Sequence, residues 1–547
     1  MTRPRLWPAA LVLLLGGLWI ARIWLTGDAI RQFRIIGTIA TTLLVTILLV
    51  VWLVFFSRLS RRTRLAGAAV AIALFALMPA LFRIRGVTGD LQPIVEPRFG
   101  SAVPLPEPPP PAPAAQPTPA VAAAPAASVA TTGSAAAPGP SGTPPAAPLA
   151  SAAVSAGGTG SSLPEFPQFL GPSRDGRLAG PRLARDWTAR APRRLWRQPL
   201  GQGWAGFAIS GEIAVTQEQR GDEERVVAYE LRSGRPLWSH ADRARYETVI
   251  AGIGPRATPT IVGGRVFAMG ATGILNALDL RSGARLWSRD VVKETEAQVP
   301  EWGRSCSPLV VDGRVVVIAG GTGGRRLVAY DAQSGETAWA AGEGGASYSS
   351  PTLATLAGRP QLVVLNGASV SGHDPATGAV LWEHPFPREQ PNVALPLPLG
   401  PDRLLVSVGY GVGSKVYRVG ETNGALRATL EWESPRLKSK FANLLAHGGF
   451  VYGLDDGVLT CLDPATGERR WKSGRHGHGQ LLLVAGLLLV QTEEGELVLV
   501  DPSPDAYREL TRFQALDGKT WNPPALAGPL LLVRNDREAA AYELPVE

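Results

Sequence analysis

Few residues in this 547-residue chain have the type and spacing to do chemistry. His476 and His478 flank Gly477 in RHGHGQ, and two imidazoles that close could share a metal ion. Positions two apart face the same way along a strand, so chelation is sterically open. Yet no cysteine or carboxylate cluster accompanies the pair, which leaves it short of a full zinc ligand set. The two cysteines, Cys306 and Cys461, stand far apart and outside any C-x-x-C pair. They imply neither a disulfide framework nor a zinc site. GYGVGSK, from Gly409, has glycine spacing but lies among strand patterns with no helix after it, so it is not a nucleotide loop. No G-x-S-x-G elbow or Walker loop occurs. RNDRE, Arg534 to Glu538, reads as a solvated turn.

The elements that must position any site come from a repeat. Its unit is a short apolar strand, an acidic residue, a Gly turn and a tryptophan. Copies end at Trp238 (VVAYELRSGRPLW), Trp287 (LNALDLRSGARLW), Trp339 (LVAYDAQSGETAW), Trp382 (VSGHDPATGAVLW) and Trp471 (LTCLDPATGERRW). VYRVGETNGALRATLEW, ending at Trp432, is degenerate; LVLVDPSPDAYREL lacks the tryptophan, and AAAYELP is the last copy. Alternating apolar residues make strands with a buried face. The S-G, T-G and N-G pairs turn the chain tightly. Each tryptophan offers a large apolar surface for the next repeat. A second hairpin precedes each pair, as in TPTIVGGRVFAMG and SPLVVDGRVVVIAG, so a repeat carries four strands, as a propeller blade does. Counting copies gives eight blades. The last has three strands, and RRLWRQPL, with Trp196, supplies the fourth and removes the open edge.

The D/E-x-x-[ST]-G-x-x-x-W pattern resembles the tryptophan motif of pyrroloquinoline quinone (PQQ)-type propellers, which include quinoprotein dehydrogenases and the BamB-type proteins of outer-membrane assembly. FPQFLGPSRDG, Phe166 to Gly176, is similar to the opening of a PQQ-binding-like repeat family. The resemblance implies an eight-bladed PQQ-like β-propeller over about 165–547. It allows PQQ with calcium as a cofactor. Against that, quinoprotein alcohol dehydrogenases carry adjacent cysteines, absent here, and their calcium ligands match no position. No residue is therefore assigned to a cofactor or a metal.

In a propeller the first strand of each blade lines the central channel. The residues just before those strands are Trp204, Arg256, Arg304, Tyr348, Asn392, Lys440, Asn443, His478, Gln480, Trp521 and Asn522, with Tyr410 overhanging. A concave mouth with convergent polar groups is a default ligand site. Its positive sign suits a small anionic ligand.

Three apolar stretches, about 6–25, 35–56 and 65–82, each approach the ~20 residues that span a bilayer as helix. Arg58, Arg61, Arg62 and Arg64 form the densest positive loop and place it, with Arg3 and Arg5, in the cytoplasm. The rest then lies outside. Arg31, Arg34, Arg83 and Arg85 weaken the contrast. Residues 96–164 turn Pro/Ala/Ser/Gly-rich and cannot bury enough apolar surface to order, so they read as a disordered tether holding the propeller off the membrane. The expected organisation is a three-helix anchor (1–95), linker (96–164) and propeller (165–547), in a bacterial inner membrane with the propeller periplasmic. The net charge of +8 reflects membrane-flanking arginine, not a nucleic-acid surface. The expected role is binding or scaffolding in the cell envelope, with membrane lipid and envelope proteins as partners. The alternative is a membrane-bound PQQ-dependent alcohol or sugar dehydrogenase.

Overall fold

The computed structural model describes residues 5–25, 31–99, 105, 107, 109 and 165–547 except 388. The linker expectation for 96–164 therefore falls almost wholly outside the described residues. Three helices are long and apolar enough to cross a membrane: α1 (Trp7–Leu25), α2 (Arg31–Val51, continued by a π-turn, Trp52–Phe56) and α3 (Arg61–Leu81). Their apolar side chains point outward, with Leu14, Leu44 and Phe75 all more than half exposed, as a lipid solvent requires. Helix α3 starts earlier than hydropathy suggests, because the Ser60 hydroxyl accepts from the Thr63 amide and caps it. Small residues bring α1 and α2 together, with Gly16 closing on Val45. Arg5 N donates to Ser57 O at 3.2 Å, so residue 5 and the Arg58–Arg64 loop share one end of the bundle. The start of α2 and the end of α3 lie at the other end.

The β region is an eight-bladed propeller. Blade 1 holds Ala208–Ser210, Ile213–Arg220, Glu223–Glu230 and Pro236–Asp242; blade 2 holds Thr260–Val262, Arg265–Met269, Ile274–Asp279 and Arg285–Asp290. The same antiparallel four-strand order repeats through blade 7. Blade 8 consists of Ala525–Ala527, Leu530–Arg534, Glu538–Glu543 and, from the other end of the domain, Arg193–Pro199. Ala541 faces Trp196 and Tyr542 faces Arg194, so the ring closes as the repeat arithmetic requires.

The motif works as follows. Asp279 Oδ1 accepts from the amides of Arg281 and Ser282, which holds the turn. Gly283 then takes φ +71° and leaves space for the ring of Trp238 in blade 1; a Cβ there would meet that ring at 2.4 Å. Trp238 Nε1 donates to Leu280 O of the same turn at 2.9 Å. Trp196, Trp287, Trp432 and Trp471 each donate to the next blade in the same way. These five tryptophans pack between blades. Trp382 departs from the pattern. The strands of blade 5 run on to a turn at Asn423–Gly424, without the acidic-residue turn, and Trp382 bonds Gln361 of its own blade instead.

Two further segments enter the ring. Glu165–Phe166 pairs with Ala208–Ser210, and Arg177–Leu178 runs parallel to Gln480–Val484 of blade 7. Between them Arg174, 3% exposed, donates to Pro351 O and Pro308 O at 3.0 and 3.2 Å and to Ser307 O. FPQFLGPSRDG is therefore the piece of chain that fills the channel. The second segment is a hairpin, Phe82–Val87 with Pro93–Pro97, that follows α3 without a spacer. Its tip enters the opposite mouth. The helices and the channel mouth are joined through the sixteen residues of this hairpin (Phe82–Pro97).

Candidate functional site at the channel mouth

The mouth is built by loops ahead of the first strands, and the hairpin tip, Thr88–Leu91, is seated in it. Gly89 is at the centre. Its amide donates to Glu493 Oε1 at 2.6 Å, and its carbonyl accepts from Gln32 Nε2 of α2 at 2.8 Å and from Lys440 Nζ at 3.4 Å. Asp90 Oδ1 meets His478 Nε2 at 3.1 Å, while Oδ2 pairs with Arg31 at 2.8 Å. Lys519 Nζ donates to Val87 O at 3.0 Å. Lower on the hairpin, Arg85 pairs with Asp536 and Glu96 with Arg537. The arginines that blurred the charge asymmetry, Arg31, Arg83 and Arg85, are thus each matched to a carboxylate.

Below the tip is a cavity of about 310 Å³. Val87, Thr88, Gly89 and Leu91 roof it, Gln32 of α2 reaches its rim, and Phe169 of the channel segment also lines it. Its walls are aromatic. Trp302 stacks on Tyr348 at 4.8 Å and tilts against Tyr410 at 5.6 Å; Trp521 lies 4.9 Å from Trp204 and 4.8 Å from Phe441. Lys519 sits 4.0 Å from the Trp521 ring, and burial pushes its ammonium down to about 8. Arg256 lies over Tyr246 and donates to Gly254 O and Trp302 O; burial lowers its pKa to about 10, which leaves it charged at neutral pH. Trp204 Nε1, Trp302 Nε1 and Arg256 Nε are buried donors with no acceptor among the described residues.

The residues nominated from sequence divide three ways. Trp204, Arg256, Tyr348, Asn443, Gln480 and Trp521 line the cavity. Lys440 and His478 hold the hairpin. Arg304, Asn392 and Asn522 are buried in the wall, where they donate to backbone carbonyls: Arg304 to Ile318 O, Asn392 to Asn366 O, Asn522 to Ala205 O. Tyr410 lines the cavity as well.

Several participants were not anticipated. Trp302, Phe441, Lys519, Glu493 and Asp90 belong to the site, and the last two bring negative charge to a mouth that reads as basic in sequence. RNDRE is not a solvated turn. Arg534 is fully buried, donating to Thr216 Oγ1 at 2.7 Å and Gln217 O at 2.8 Å, and Asp536 receives the hairpin. The FRIRGVTGDLQPIVEPR alternation about a T-G-D turn was the available signal for the hairpin. His476 and His478 diverge, the first towards Tyr507 and the second to Asp90, so they do not share an ion. Burial lowers His476 to about 4. Cys306 and Cys461 are buried in separate blades with thiols pushed up to about 11, and are inert.

Asp90 makes hairpin docking acid-sensitive. Burial works to raise its carboxyl, but the hydrogen bond with His478 and the charges of His478, Lys440 and Arg31 outweigh it and hold it below the ordinary aspartate value. A depressed folded pKa stabilises docking above the unfolded value of about 3.9, and that stabilisation is lost as pH falls through the folded value. Protection of the 86–94 amides, referred to their intrinsic exchange rate at each pH, is expected to fall below about pH 4. In Asp90→Asn exchange is expected to be raised at neutral pH and to lose that acid step; an unchanged acid step in the variant counts against Asp90.

The sequence profile of the family described as "Outer membrane protein assembly factor BamB" matches residues 186–321 and 293–473. No curated protein matches the chain by sequence. Among solved structures, BamB from Moraxella catarrhalis is 16% identical, with 65% of this chain aligned to 100% of that one at a TM-score of 0.46. Quinohemoprotein alcohol dehydrogenase from Comamonas testosteroni is 13% identical, with 70% and 81% of the two chains aligned at 0.52. The quinohemoprotein alcohol dehydrogenase ADHIIG of Pseudomonas putida HK5 is 13% identical, with 71% and 81% aligned at 0.49. At these identities the likeness is one of fold.

Proposed function

Because this chain belongs to the family of the outer membrane protein assembly factor BamB, we propose that it is a membrane-anchored binding and scaffolding module of the bacterial cell envelope, held in the inner membrane with its propeller on the periplasmic side. One observation carries the reading: the charged groups of the channel mouth are engaged by the chain's own hairpin. Lys440, His478, Glu493 and Asp536 hold Gly89, Asp90 and Arg85. The mouth serves as the anchoring socket, which leaves the outer strands for partners. Apolar side chains already stand exposed there, among them Leu286, Val380 and Leu430.

The aromatic cavity supports a second reading, a PQQ-dependent alcohol or sugar dehydrogenase. Its flat walls and unpaired N–H donors suit a planar carboxylated ring. Calcium fits poorly, since it takes six to eight oxygen ligands and draws on carboxylates. Among the described residues no Asp or Glu lines the cavity, and no cluster of His, Cys, Asp and Glu could hold a metal.

The full chain in lipid nanodiscs, given PQQ, calcium and an artificial electron acceptor, is expected to reduce no dye with alcohols or aldoses. A photocrosslinker at Val380 or Leu430 in cells is expected to capture envelope proteins. Calcium-dependent dye reduction that disappears in Arg256→Ala replaces the scaffold with the dehydrogenase.

A further inference from the structure

The hairpin is amphipathic in an unusual sense. Its charged face, Arg83, Arg85 and Glu96, carries the ion pairs and turns to the propeller through Asp536 and Arg537. Its apolar face carries Ile84 and Val95, which are cross-strand partners, 59% and 57% exposed. A two-stranded ribbon in water hides its apolar face, because that is where burial stabilises it. Here that face has no partner among the described residues.

Position identifies what covers it. Phe82 is the C-cap of α3, and Arg98 ties the hairpin base back to the last turn, its amide to Leu81 O at 2.8 Å and its Nε to Pro79 O at 2.7 Å. Ile84 therefore lies within about 10 Å of the helix end, at 3.2–3.4 Å of rise per residue. Gln32 ties the start of α2 to the tip in addition. With both helix ends fastened to the mouth, other loops on this face come to the same level. A small hairpin of blade 1, Glu247–Thr248 with Gly252–Ile253, lies alongside, with Val249 O beside Gly86. It presents Val249 and Ile250 at its tip, 63% and 44% exposed.

We propose that the channel-mouth face of the propeller rests on the bilayer, with Ile84, Val95 and the Val249–Ile250 tip seated at the headgroup–acyl boundary of the leaflet where α3 emerges. The partner is the same phospholipid bilayer that α1–α3 cross, and the proposal rests on the membrane-anchored reading above. Apolar side chains beside arginines, Arg83 here, suit that boundary, where chain and phosphate are both within reach. The propeller thus lies face down, and the cavity rim at Gln32 and Ile250 opens at the level of the lipid headgroups.

Depth measurement by spin label tests this on the full chain in phosphatidylglycerol–phosphatidylcholine nanodiscs. Both native cysteines are buried, so a single added cysteine takes the label. Ile84→Cys, Val95→Cys and Val249→Cys are compared with Leu44→Cys on α2 and Val262→Cys on the opposite propeller face. The expected result is high oxygen and low nickel-chelate accessibility at 84, 95 and 249, approaching Leu44, and the reverse at Val262. Nickel accessibility at 84 and 249 equal to that at 262, with Leu44 still in lipid, overturns the docking and leaves the anchor intact. Protection from both reagents overturns it too, since protein, such as the 110–164 segment, then covers the face. Nickel accessibility at Leu44 itself removes the anchored reading and the docking with it.

Discussion

Replacing Gly89 with valine expels the hairpin from the channel mouth while the propeller stays folded. A Cβ at this position would lie 2.0 Å from His478 Cδ2, 2.5 Å from Cγ and 2.8 Å from Cβ. His478 cannot give way. It is 3% exposed, its amide is bound to Glu493 at 3.0 Å, and Phe441 packs against its ring. Overpacking of this kind costs roughly 1–3 kcal/mol where neighbours can adjust. A tip that stayed seated would also have to push His478 off Asp90, and breaking a buried pair of that kind costs about 3–5 kcal/mol. Exchange over 86–94 should approach that of an unprotected segment, and a protease should cut between Thr88 and Leu91. The thermal midpoint of the propeller should move little, because its core clusters contain no hairpin residue. A valine variant with native protection at the tip would show that the seat is looser than described.

Trp196→Ala weakens the closure of the ring. The side chain is 9% exposed, donates to Leu231 O at 2.9 Å, and covers Gly234 of blade 1. Truncating a buried tryptophan costs about 3–5 kcal/mol, a large share of a domain stability of roughly 5–15 kcal/mol. It strikes the one strand of blade 8 that comes from far away in sequence, so the damage is not confined to one contact. Adding Arg197→Pro removes the amide opposite Ala540 and the Glu538 salt bridge, and should release the strand altogether. Ala539, Ala540 and Ala541, now buried, would then lie on an unpaired edge, a template for aggregation. The expected results are a thermal midpoint lowered by several degrees in the single variant and loss of monomer on size exclusion in the double. Native unfolding of the double variant would mean that the ring is held shut by something other than this strand.

Much of the propeller could be read from sequence because each blade states its own geometry locally. An acidic residue, a Ser or Thr, a Gly and a Trp fall within nine positions, and each has a partner within the turn or in the next blade. The closing strand was legible for the same reason, since Trp196 stands at the tryptophan position of the last blade's missing fourth strand. The site was legible in part. Residues ahead of the first strands do converge, but convergence alone does not say which side chains face inward, and Arg304, Asn392 and Asn522 turn to backbone carbonyls instead. The hairpin's destination was not legible. Asp90 and His478 are 388 positions apart, and Arg85 and Asp536 are 451 apart. Nothing near either residue specifies the other. The same distance hid the acid that offsets the basic mouth, and made RNDRE look like a free loop when it is a receptor.

Ring closure also fixes an order of events during synthesis. Arg193 and Glu543 join one blade across 350 positions of chain. The strand from Arg193 to Pro199 leaves the ribosome well before the strand it must pair with exists. Throughout that interval it is an unsatisfied β-edge carrying a tryptophan with no socket of its own blade to complete. A nascent chain in this state is at its most vulnerable to intermolecular pairing, and a pause in elongation anywhere in blades 2 to 7 lengthens the exposure.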